Sequence, residues 1–221
     1  MSTTACATET PAVGVHRHDE LANCITHGLG CALSIAGTIA LFAAASELDD
    51  RWRLVGCGIY AATLVAVYGA STLSHVFQER RLRHLFRTLD QAFIYLLIVG
   101  TYTPLALGYL HGGWLNVLLG AMWLVALAGF LSKLFWRHRI DAVSLTAYIV
   151  LGWMPIFSLK AAWDLMPLPA CLLMVAGGLC YTFGTLFLMR DHRRFFHAIW
   201  HLFVMAGSVC HFVAIFLYVA R

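Results

Sequence analysis

Six stretches of this chain carry no Lys, Arg, Asp or Glu: 21–46, 54–78, 91–132, 142–159, 165–189 and 195–220. A helix crosses the hydrocarbon core of a bilayer with about 20 mostly apolar residues, within a range of about 17–25. Five of the stretches hold one such helix each. The stretch 91–132 is long enough for two, and Tyr109-Leu-His-Gly-Gly113 supplies the break between them. The pattern predicts an all-α protein, a bundle of seven transmembrane helices over 19–221. A polar tail over 1–18 precedes it, disordered up to about His16.

Composition agrees with a membrane solvent. Of the 221 residues, 61% are apolar and 12% are charged, whereas soluble domains carry about 25% charged residues. The tail has no apolar core of a cleavable signal, so the first helix is expected to serve as its own insertion signal. The seven cysteines form no CxxC pair and read as small apolar helix residues. A net charge of +4 argues for no nucleic-acid partner, because the location of the basic residues explains it better. The expected partners are membrane lipids, and the oligomeric state is left open.

Orientation follows from the side on which Lys and Arg accumulate. Arg17, Arg80, Arg81, Arg83, Arg87, Lys133, Arg137, Arg139, Arg190, Arg193 and Arg194 fall on one side, eleven of the fifteen basic residues. Arg51, Arg53, Lys160 and Arg221 fall on the other. The rich side is expected to be cytoplasmic, in the plasma (inner) membrane, with the N-terminus inside and the C-terminus outside. Trp52, Trp114 and Trp163 then mark the outer interface.

Ionisable groups inside spans are costly and point to function by default. The second helix carries Ser71 and His75 at i and i+4, the third opens with Asp90, and the seventh carries His197 and His201 at i and i+4. Helix direction brings all of these to one layer: at about 1.5 Å per residue, the three histidines and Asp90 lie within about 5–10 Å of the cytoplasmic boundary. Two histidines at i and i+4 can grip one metal ion from a single helix face. A third from another helix makes three protein ligands, the arrangement of a catalytic zinc site that keeps one position for water. Asp90 would orient that water or act as general base, and Ser71 would donate a hydrogen bond to a developing oxyanion. A bland reading competes, in which the histidines only hydrogen-bond neighbouring helices.

The remaining polar residues divide less sharply. Glu20, Asn23 and His27 lie along one face of the first helix, as supports of the site or as a polar cluster at the helix start. His211 stands about 15 Å beyond His201 and reads as packing. His84 and His138 sit among arginines and are expected in solvated loops. Gly100-Thr-Tyr-Thr-Pro104 marks a kink or a close helix contact.

The order of these motifs resembles that of the bacterial hemolysin III proteins. That family is grouped with the progestin and adipoQ receptors, in a superfamily that includes alkaline ceramidases. The resemblance runs from about Glu20 to the C-terminus. It rests on Glu20-x2-Asn23-x2-Thr26-His27, Ser71-x3-His75, Leu89-Asp90, Gly100-Thr-Tyr-Thr-Pro104, Gly152-Trp153, His197-Ala-Ile-Trp-His201 and His211-Phe212. It implies zinc held by His75, His197 and His201, with Asp90 acting through water and Ser71 in the same site, and it suggests hydrolysis of lipid amides. Many bacterial relatives carry Asp-His where this chain has Asp90-Gln91, a departure outside the core set. Two functions follow as expectations: a zinc-dependent hydrolase of lipid amide or ester bonds, or a non-enzymatic membrane-perturbing (cytolytic), transport or sensing protein with structural zinc. The hemolysin name implies cytolysis, yet the sequence contains no pore-lining stripe.

Overall fold

The computed structural model describes residues 13–136 and 142–221. Most of the expected tail, together with Arg137, His138 and Arg139, lies outside these residues. The described chain is helical throughout: α1 (Val13–Ala45), α2 (Arg51–Val76), α3 (Arg80–Gly108), α4 (Gly113–Trp136), α5 (Ala142–Trp153), α6 (Leu159–Leu165), α7 (Leu168–Leu188) and α8 (Phe196–Tyr218). A 3₁₀ turn, Met154–Ser158, joins α5 to α6, so the two make one span. Seven helical segments are thus long and apolar enough to cross a bilayer.

The expected break after the third helix is present: Gly112 and Gly113 adopt positive φ values of 98° and 49°, which a side chain would resist. Other boundaries differ from the expectation. Helix α3 begins at Arg80, so Asp90 lies nearly three turns inside it rather than at its start. The four arginines expected in the preceding loop are helical residues: the exposed Arg80, Arg81 and Arg87 can lay their stems along the helix while their heads reach water, and Arg83 pairs with Glu20 of α1. Glu20 likewise sits two turns inside α1, and Lys133 is a buried residue of α4 rather than a loop residue. The fifth span runs past the charge-free stretch to include Lys160 and Asp164, an exposed pair 2.8 Å apart and one helical turn from each other.

Burial is inverted relative to a soluble protein. Leu124, Phe135 and Val143 are more than 70% exposed, as side chains facing hydrocarbon must be, while polar groups turn inward. Helices α2 and α3 form the centre; α1 lies over the seam between α2 and α8, and α7 packs on α8. Small residues permit the close approaches, as expected where no hydrophobic effect drives helices together. A Cβ on Gly56 would stand 2.7 Å from the Pro104 backbone, and one on Gly30 would stand 2.4 Å from the Tyr68 ring. Gly100 similarly meets Thr63, so the Gly100–Pro104 segment serves close packing of α3 on α2. The six cysteines among the described residues are free.

Candidate metal centre

Two local features aim the histidines. Helix α2 ends one residue after His75, where the chain turns and Phe77 stacks on Phe86 of α3 at 5.3 Å. Helix α8 starts after Phe195, which holds φ at 62° with the Arg194 guanidinium 4.7 Å over its ring. That sharp entry brings His197 and His201 to the same end of the bundle as His75, as helix direction and depth predict.

The three rings converge. Their centroids stand 5.5 Å apart for His75 and His197, 5.3 Å for His75 and His201, and 4.5 Å for His197 and His201. One nitrogen from each lies within 4.8 Å of the others, a gathering that could hold a metal ion. His75 and His201 are buried and His197 is half-buried. The donor set fits a divalent ion that favours imidazole, such as zinc. It supplies three neutral nitrogens and no thiolate, the number found where a coordination position stays open to water.

Asp90 does not join the converging ligand atoms. Its carboxyl lies within hydrogen-bonding reach of Ser71, a fully buried hydroxyl one turn before His75. Ser71 therefore has Asp90 as its neighbour, which suits a residue that orients the carboxylate better than one that waits for an oxyanion.

Helix α1 contributes more than its face pattern alone specified. Glu20 Oε2 lies 2.9 Å from His75 Nδ1, and Arg83 donates to Oε1 of the same carboxylate. Thr26 Oγ1 lies 3.1 Å from His201 Nδ1. His27 stacks on His201 with centroids 3.6 Å apart, and both its ring nitrogens are buried without a protein partner. Glu20 and His27 thus touch the histidine cluster, while the buried Asn23 Oδ1 has no hydrogen-bond partner. The role of Thr26 was missed: a threonine in a helix carries no signal of what it will face. Its closeness in sequence to His27, in the layer of the other histidines, was the available hint.

His211 is separate. Its Nε2 lies 3.0 Å from the Met174 carbonyl, and its ring packs against Tyr181 at 5.5 Å. Tyr68 and Tyr181 both bond the Ser208 hydroxyl, at 2.9 and 2.7 Å. These contacts tie α2, α7 and α8 together, and His211 is not among the three converging histidines. His84 is exposed on α3 rather than in a loop.

Seven apolar spans around a largely buried three-histidine cluster define a multi-pass integral membrane protein with a possible metal site. More narrowly, the chain belongs to the haemolysin-III related family, which matches residues 15–212. It is 38% identical to Hemolysin-3 of Bacillus cereus over 203 residues, covering 91% of this chain and 92% of that protein. It is 34% identical to the Hemolysin-3 homolog of Bacillus subtilis, covering 92% and 95%. Identity to the human monocyte to macrophage differentiation factor is 30% over 232 residues, covering 96% and 90%. No solved structure matches the chain.

Proposed function

We propose that this protein is a zinc-dependent hydrolase of lipid amide or ester bonds. On this reading it lies in the inner membrane with its N-terminus and its site toward the cytoplasm. The observation that carries the proposal is the pairing of an incomplete ligand set with a separate carboxylate. Three histidines converge, while Asp90, held against Ser71, stays outside the ligand group. A purely structural zinc site would be closed by a fourth protein ligand.

The residues divide the work as follows. His75, His197 and His201 hold the ion. Zinc bound there supplies a Lewis acid and lowers the pKa of its water to about 7. Asp90 takes the proton of the attacking water on a carboxylate oxygen as that water reaches the carbonyl carbon, and returns it to the amide nitrogen or ester oxygen as the C–N or C–O bond breaks, leaving a fatty acid and an amine or alcohol. Ser71 keeps the Asp90 carboxyl aligned for the transfer. Helix α1 covers the site from the lipid side with Leu21, Ile25 and Leu29 exposed outward. The site therefore lies close to lipid, at a depth that suits the linkage between an acyl chain and a headgroup.

Two measurements test the proposal. Purified wild-type protein releases fatty acid from at least one member of a broad panel of lipid amides and esters, and His75→Ala does not. No release by the wild type would retire the hydrolase and leave the non-catalytic, membrane-perturbing reading that the relatives' hemolysin name suggests. The orientation rests on the eleven basic residues gathered at one side. A phosphatase reporter fused after Arg221 is active, because it emerges outside; a fusion active only when its reporter requires the cytoplasm reverses the topology.

A further inference from the structure

Each neutral imidazole has two nitrogens, and only the one without a proton can bind a metal ion. The partner of the other nitrogen decides which one is bare. At His75, Nδ1 meets Glu20 Oε2 at 2.9 Å. A carboxylate paired with a guanidinium can only accept, so the hydrogen sits on Nδ1 and Nε2 is left bare. At His201, Nδ1 meets Thr26 Oγ1 at 3.1 Å. The threonine hydroxyl has a single hydrogen, and the carbonyl oxygens of Ala22 and Asn23 stand 2.9 and 3.0 Å from it, the usual back-bond of a helical threonine. With its hydrogen directed to that carbonyl pair, Oγ1 accepts from Nδ1, and Nε2 of His201 is bare as well.

Both supports come from α1, and they reach across 55 and 175 positions in the sequence. Arg83 of α3 holds the far oxygen of Glu20, with Arg87 of the same helix at 3.8 Å, so two arginines fix the carboxylate that meets His75. Gly30, directly under the Tyr68 ring, lets α1 lie close enough on α2 for these contacts to form.

We infer that α1 is the positioning element of the metal centre: Glu20 and Thr26 select the Nδ1–H forms of His75 and His201 and so set the affinity for the ion, although neither touches it. This inference rests on the metal-binding part of the proposed function, and not on hydrolysis.

The test is zinc affinity, measured on the purified full-length chain by competition with a chromophoric chelator. Thr26→Val keeps the branched shape but removes the oxygen, and Thr26→Ser keeps the oxygen. Glu20→Gln keeps the length and an acceptor but loses the charge. Removing a support of this kind weakens metal binding by about 10- to 100-fold. Thr26→Val and Glu20→Gln are expected to weaken zinc binding by about tenfold or more, with Thr26→Ser within about threefold of wild type. Valine binding like wild type, or serine binding as weakly as valine, overturns the inference, the latter because packing rather than the hydroxyl would be at work. A wild type that binds no zinc overturns it together with the metal reading. A wild type that binds zinc while every variant matches it overturns this inference alone.

Discussion

The double variant His197→Ala, His201→Ala loses its zinc, falling from about one ion per chain to near none, while His211→Ala keeps it. A four-ligand structural zinc site binds with about 10–16 kcal/mol at neutral pH, about 2.5–4 kcal/mol per ligand. Two imidazoles removed together therefore weaken binding by about 10⁴- to 10⁶-fold. The remaining imidazole, His75, offers one nitrogen from the end of α2. His211 is the matched control: it is buried in the same helix, but its Nε2 lies on the Met174 carbonyl and its ring lies on Tyr181, and it is not among the three converging histidines. Metal content is read by inductively coupled plasma mass spectrometry on protein purified at one stoichiometry of detergent. Full zinc in the double variant would exclude this ligand set.

Asp90→Asn is expected to insert, fold and keep most of its zinc, yet to lose fatty-acid release by about 10²–10⁴-fold, the usual contribution of a positioned general base. Asparagine has the shape of aspartate and can still meet the Ser71 hydroxyl, so the packing of α3 on α2 is retained. It cannot take a proton. Ser71→Ala should cost less, because the carboxylate survives and only its alignment is lost. That order separates the orienting role from one in which Ser71 itself stabilises the reacting oxygen, where the alanine variant would lose about 10²–10³-fold. Zinc is measured in parallel; activity equal to wild type in Asp90→Asn, with zinc retained, removes the carboxylate from the mechanism.

Much of this was legible in the chain because the relevant physics is local. The cost of placing a charge in hydrocarbon acts residue by residue, so the charge-free stretches locate the spans and Gly112 and Gly113 divide the long one. His197 and His201 share a face because 3.6 residues make a turn. Depth is a sum along one helix, which is why His75, His197, His201 and Asp90 could be assigned to one layer before any contact was known. Helix ends were less legible: the arginine-bearing turns of α3 remain helical because exposed arginine heads can reach water, and Glu20 lies inside α1 because it pairs with Arg83 and His75.

Depth does not determine which helix stands beside which, or how each is rotated about its axis. Those were decided by close approaches between distant residues, Gly30 under Tyr68 and Gly56 against Pro104 among them. The sequence by itself determined seven spans and a layer of histidines at one end of them. Only the tertiary structure decided that α1 closes the seam between α2 and α8, so that Glu20 meets His75, Thr26 meets His201, and Ser71 meets Asp90. The reason is physical: transfer into the bilayer is additive along the chain, whereas the rotation and neighbours of a helix depend on shapes supplied by other helices.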